Sequence, residues 1–406
     1  MKKVFAYLLL ALCSSPLLFA QQGDTTAEEV LSRLTSILGG TSIGGYGDAV
    51  YENNFNQKEA TVDLERVVLF VGHTFGSVSY FSELEMEDAK VSGDELGGGE
   101  IAFEQAYLRF NLDQSHYVTA GLFLPRIGIL NENHLPTEFN GNERTQVETT
   151  IIPSTWRELG IGFYGSLSSM PLNYSVALVN GLNSAAFEHG SGIREGRFEG
   201  RNASANNLAL TGSVQLTESD LKLEASGYYG GSVGLSPQVA DSLQLASGPF
   251  GTPVVLGEAD LQYSHGGFSV RALGTLISIP NAYEVNRAYG KNTPSKEYGV
   301  YAEIAYDILH PFNEKRGRQC ILFARYEKLD MNASVPSNGL IDGTLNQNYV
   351  VVGVSYFPLS SIVLKADLRL IHTGPQNPAL ILYSGTGLPS YNQDNTLVDI
   401  GLGYSF

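Results

Sequence analysis

Large apolar residues alternate with small or polar ones along most of this chain. In Val398 to Phe406 the apolar set is Val398, Ile400, Leu402, Tyr404 and Phe406, and Asp399, Gly401, Gly403 and Ser405 fall between them. The segment at 361–370 sets Ile362, Leu364, Ala366, Leu368 and Leu370 against Lys365, Asp367 and Arg369, and 207–216 and 257–264 follow the same rule. A period of two is the signature of a strand with two different faces. It predicts sixteen strands, at 41–52, 59–72, 74–86, 98–111, 115–128, 155–166, 171–182, 205–217, 219–231, 252–265, 267–278, 296–308, 318–330, 346–357, 361–372 and 394–406. Their connections alternate. Short ones such as 72–74, 217–220 and 358–361 are followed by long ones such as 129–154, 183–204 and 373–393.

A soluble β-sandwich has no reason to sort its loops by length, whereas a transmembrane barrel has short turns on one side and long loops on the other. In lipid every backbone polar group must be paired, so a spanning sheet must close on itself. The predicted fold class is all-β, a 16-stranded antiparallel transmembrane β-barrel with a short N-terminal helix. Past the first twenty residues there is no apolar run of about 18 residues, which excludes spanning helices. Met1 to Ala20 has the basic start, apolar run and small terminal residue of a secretory signal peptide. Residues 21–40 read as a short periplasmic helical segment, with Thr26 and Glu29 as a capping box and Val30, Leu31, Leu34, Ile37 and Leu38 at helical spacing. This helix has three destinations: the barrel mouth, a neighbouring subunit, or a free leader. Residues 41–406 form the barrel.

Composition narrows the function. The formal charge is −17, and the leader removes two lysines and no acid, so the exported chain is more acidic still. That excludes a general nucleic-acid binder. Outside the leader Cys320 is the only cysteine, so no internal disulfide forms. The seven histidines lie mostly at turns and strand ends, and none sits in a G-x-S-x-G or H-E-x-x-H setting. The chain reads as no enzyme, with no cofactor. The acidic patches at 83–90 and 392–395 lack EF-hand spacing, so no metal site is predicted.

Sixteen strands enclose an aqueous lumen. A channel for small hydrophilic solutes in the outer membrane of a Gram-negative bacterium is the expectation. A plugged or adhesive structural barrel is the alternative, with an outer-membrane barrel enzyme as a further one. The alternation turns Arg109, Lys222, Arg271, Arg325, Lys365 and Arg369 inward, together with Glu224, Glu258, Asp260, Glu303, Asp307, Glu327, Asp367 and Asp399. The long loop Ile129 to Ser154 is the predicted constriction, with Arg126 before it, Arg144 within it and Arg157 after it. Arg109, Arg271, Arg325 and Arg369 are candidates for a basic strip that guides anions.

Three stretches carry a resemblance. "VTAGLFLPRIGILNEN" (118–133), "FNGNERTQVE…WRELGIGFYGS" (139–166) and the opening "SIGGYGDAVY" (42–51) are similar to the corresponding parts of the phosphate-selective porin O and P family. The resemblance implies a trimeric outer-membrane porin, whose anion-selective members depend on stacked lumenal arginines and on lysines near the constriction. This chain departs from that pattern, because its six inward basic groups face eight acidic ones. A focused positive field needs one sign to dominate. The aromatic Phe406 at the end of the last strand resembles the signal read by the barrel-assembly machinery.

Overall fold

The computed structural model describes residues 40–89, 99–167, 169–312, 317–380 and 391–406. The signal peptide and nearly all of the helical segment expected at 21–40 lie outside the described residues, as does part of the 83–90 acidic patch. The strands are β1 (Thr41–Asn54), β2 (Glu59–Phe75), β3 (Val78–Glu87), β4 (Ile101–Asn111), β5 (His116–Phe123), β6 (Glu158–Leu167), β7 (Leu172–Asn180), β8 (Leu208–Glu218), β9 (Leu221–Gly230), β10 (Val254–His265), β11 (Phe268–Ser278), β12 (Lys296–Asp307), β13 (Gln319–Ser334), β14 (Asn346–Leu359), β15 (Ile362–Thr373) and β16 (Asp394–Ser405). Every strand pairs antiparallel with its sequence neighbours, and β1 pairs with β16 to close the barrel. No helix among the described residues is long and apolar enough to cross a membrane.

The seam is tight. Gly45 and Phe406 exchange backbone hydrogen bonds at 3.0 and 2.9 Å. A Cβ on Gly45 would lie 2.3 Å from the Val68 carbonyl oxygen and 3.0 Å from the Phe406 ring, so this position requires glycine.

The alternation sorts side chains as the sequence predicts. Ile400, Leu402, Leu364, Leu370, Leu322, Ile304 and Val300 stand exposed on the outer face. Asp399, Lys365, Asp367, Arg369, Arg325, Glu327 and Glu303 are turned inward and buried. The fifth strand, expected over 115–128, ends at Phe123. Pro125 has no N–H to continue the ladder, and from there the chain leaves the wall for the interior.

The interior also differs from a wide, water-filled lumen. The loop between β5 and β6 (124–157, here L3) folds into the barrel with Ile127, Leu130, Val147, Ile151, Ile152 and Trp156 fully or almost fully buried. These side chains join one apolar cluster with Leu182 and Ile193 of the loop between β7 and β8 (181–207, here L4) and with wall residues such as Tyr228, Leu273 and Ile277. A loop with this many apolar residues buried inside the barrel can stay there only if its backbone is also satisfied. Two short helices, α1 (Pro237–Ser242) and α2 (Ala282–Tyr289), lie in other long loops.

Candidate pore constriction

L3 is bolted to one side of the wall. Asp367 on β15 accepts the backbone N–H of Asn142 at 2.8 Å and its side-chain amide at 2.7 Å. Arg325 on β13 donates to the carbonyls of Asn140 (3.1 Å) and Glu143 (3.3 Å) while paired with Glu303 (3.3 Å) and Glu327 (2.8 Å). Arg271 donates to the Glu138 carbonyl at 2.8 Å, and Glu303 accepts from the Asn140 amide at 2.9 Å. The Lys365 ammonium sits 3.8 Å over the Phe139 ring. Within the loop, Glu148 accepts from the Leu130 N–H and from the hydroxyl of Tyr301 on β12, both at 2.7 Å. Burial raises the Glu148 pKa above the usual carboxylate value, against these donors. Gly128, at φ +81°, lets the chain turn over this carboxylate, where a Cβ would come within 2.7 Å of Glu148 Oε1.

L4 clamps the loop from another side. Arg194 donates to the carbonyls of Thr149 (2.8 Å) and Ser154 (3.0 Å), and Arg197 to those of Pro153 (2.6 Å) and Thr155 (3.1 Å). Burial, reinforced by the charge of Arg194, pushes the Arg197 guanidinium down to about 10, which leaves it charged at neutral pH. Glu199 answers it at 2.8 Å and also reaches Arg157 at 3.2 Å.

Between these loops and the wall of β2 to β4 remains a polar cleft of about 300 Å³. Arg144 and Arg157 of L3 and Arg194 and Arg197 of L4 line it, as does Arg66 of β2. Glu65, Glu85, Glu87 and Glu100 bring acid from the β2 to β4 side, and Glu143, Glu195 and Glu199 from the loops. Most of the positive charge therefore sits on the loops and a block of negative charge on the opposite wall.

The residues singled out in the sequence are distributed accordingly. Arg144 and Arg157 line the cleft. Arg271, Arg325 and Lys365 contact L3, as above. Arg369 is paired with Asp399 at 2.5 Å and with Glu52. Arg109 stacks on Tyr117 at 3.7 Å, Tyr117 stacks on Tyr164, and Arg126 lies over Tyr164 while paired with Glu132 at 3.1 Å. This column stands apart from the cleft lining. Lys222 lies on β9 opposite Gln262 and Thr217. Sequence reasoning missed Arg194 and Arg197, whose only signal was their charge in a segment with no periodicity, and it marked Glu85 and Glu87 only as part of the 83–90 acidic patch, without their place in the cleft.

It also missed a buried group on the wall. His134 of L3 approaches Glu83 of β3 at 3.3 Å and Glu104 of β4 at 3.4 Å. Burial opposes a proton on this imidazole, but the Glu104 and Glu83 carboxylates outweigh it and raise its pKa to about 9. Of the described residues, these three form the group whose donor atoms lie close enough together to share a metal ion.

The closed barrel is similar to solved outer-membrane proteins. One is the trimer form of in-vitro folded OmpT of Vibrio cholerae, at 13% identity and a TM-score of 0.52, with 90% of this chain and 99% of that chain covered. An anion-selective porin from Comamonas acidovorans matches with 12% identity, a TM-score of 0.52 and the same coverage. OmpF of Salmonella typhi, solved in complex with daunomycin, matches with 10% identity and a TM-score of 0.55, over 90% of this chain and 97% of that one. At these identities the likeness is one of fold. No protein-family model matches the chain. An uncharacterized protein of Aquifex aeolicus (strain VF5) is 31% identical over 350 residues, which cover 83% of this chain and 77% of that protein, and this chain belongs to the same family as that protein.

Proposed function

We propose that this protein is a channel of the Gram-negative outer membrane that passes small hydrophilic solutes or ions through the cleft between L3, L4 and the wall of β2 to β4. The observation that carries the reading is the cleft itself. It is polar, and it is lined by five arginines and seven glutamates. Charges of both signs facing each other across a narrow opening create a transverse field, which orients polar solutes and favours no ion strongly. Phosphate selectivity, the finer expectation from the resemblance, needs the arginine side to dominate. A homotrimer is the proposed assembly, supported by the trimer form of the Vibrio cholerae barrel. Phe406, paired with Gly45 at the seam, is proposed as the handle for the assembly machinery.

The test is the reversal potential of single channels in a planar bilayer under a KCl gradient. A value near zero, or weakly favouring either ion, supports the mixed-charge cleft. Strong anion selectivity with block by phosphate places the chain functionally with phosphate-selective porins. Folded protein that does not conduct overturns the channel and favours the plugged barrel.

A further inference from the structure

Glu83, Glu104 and His134 come together because of a register defect. Along β3 and β4, Glu83 pairs with Gln105 and Leu84 pairs with Phe103, so Glu104 is the extra residue of a β-bulge. A bulge re-aims a side chain that would otherwise alternate to the other face. Here it lets neighbours on one strand both turn inward. The Gln105 amide reaches Glu83 Oε2 at 2.8 Å, and Glu104 is fully buried inside the barrel.

We propose that these three side chains bind a divalent transition-metal ion of the zinc type, which pins L3 to the wall of β3 and β4. The distances are the first argument. A charge-assisted N–H···O bond is usually about 2.7–2.9 Å long. The His134 Nε2 atom is instead 3.3 Å from Glu83 Oε1 and 3.4 Å from Glu104 Oε2. Ligand atoms bonded to one tetrahedral zinc at about 2.0–2.2 Å stand roughly 3.3–3.5 Å apart.

The second argument is the division of labour among the remaining atoms. His134 Nδ1 is 3.1 Å from the Asn131 carbonyl oxygen, to which it donates, so Nε2 is the atom that faces the two carboxylates, and a metal ion between them would displace its proton and take its lone pair. Gln105 occupies the other oxygen of Glu83, and Thr155 donates to the other oxygen of Glu104. Such outer contacts are what orient metal ligands and raise their basicity. Glu104 Oε2, the oxygen facing His134, has no hydrogen-bond partner among the described residues, and neither has the hydroxyl of fully buried Tyr46. The Tyr46 ring packs edge-on against His134 at 5.9 Å. Two carboxylates and a neutral imidazole around a dication sum to zero charge, a favourable balance for a buried site.

The experiment uses the full barrel, checked for folding by its heat-dependent gel mobility, and reads metal content and thermal stability rather than conductance. A failed channel assay therefore leaves it unaffected. The expected result is about one zinc per chain after chelator-free purification, loss of several degrees in Tm on chelation, and recovery with zinc chloride. Both responses should disappear in His134→Gln and Glu104→Gln. Folded wild type that holds no zinc and gains no stability from added zinc overturns the proposal. So does zinc binding that survives both substitutions. If the variants do not fold, the chelation and zinc arms on wild type decide.

Discussion

Asp367 and Asn142 stand 225 positions apart, yet one carboxylate oxygen of Asp367 accepts both the backbone N–H and the side-chain amide of Asn142, at 2.8 and 2.7 Å. This is the most direct tie between L3 and the wall. Replacing it as Asp367→Ala should loosen L3 by about 3–6 kcal/mol, because two hydrogen bonds to a charged group are lost. Trp156, the single tryptophan, reports the change. It is buried in L3, packs against Tyr228 at 4.8 Å and donates its indole N–H to Glu158 at 2.7 Å. Its emission should shift to the red in the variant while the barrel keeps its folded gel mobility. Unchanged emission would mean that the remaining ties suffice.

Arg325 neutralises Glu303 and Glu327 with almost no solvent contact. Arg325→Ala leaves both acids buried without their partner, which should destabilise the folded state by about 3–5 kcal/mol. Arg325→Met with Glu303→Gln and Glu327→Gln should recover most of the loss. Denaturant midpoints of the three proteins check both statements.

The field across the cleft predicts opposite responses from its two sides. Arg144→Gln with Arg157→Gln should move the reversal potential toward cations, and Glu85→Gln with Glu87→Gln should move it toward anions. Shifts of the same sign would show that the cleft is not the conducting path.

Acid should act on the contact between L4 and the loop after β13. Asp342 accepts from Thr344 and lies 2.9 Å from His189. Burial works to raise its pKa, but these partners overcome it and hold the carboxyl below its usual value. The contribution is therefore complete above the ordinary carboxylate pKa and is lost as pH falls through the lower, folded one. Hydrogen exchange across 181–207 should stay slow at neutral pH and quicken only in stronger acid. Asp342→Asn should remove that dependence.

What the sequence revealed follows from periodicity. Two-residue alternation locates all sixteen strands and turns Arg325, Lys365, Asp367 and Arg369 inward, because lipid outside and polar interior leave a strand no other choice. It does not reveal which inward groups serve a solute and which hold a loop. Arg325 and Arg271, expected as parts of a basic strip, donate to carbonyls of L3, a contact fixed by loop shape and barrel shear. Arg194 and Arg197 lie in an aperiodic segment whose place inside the barrel depends on its fit to L3. The bulge at Glu104 is invisible for a similar reason. One skipped pairing reverses which neighbours face inward, and no residue type announces it.

The bonds that seat L3 also impose an order of events. The loop is made before any of β11 to β15, which supply Arg271, Tyr301, Arg325, Lys365 and Asp367. Contacts across such sequence separations form late, since the intervening chain must first be confined. L3 therefore reaches its place only after most of the wall exists, and the cleft beside it is among the last features to take shape. Damage to the seat should spare assembly of the cylinder and appear instead in mature molecules, as an opening that fluctuates.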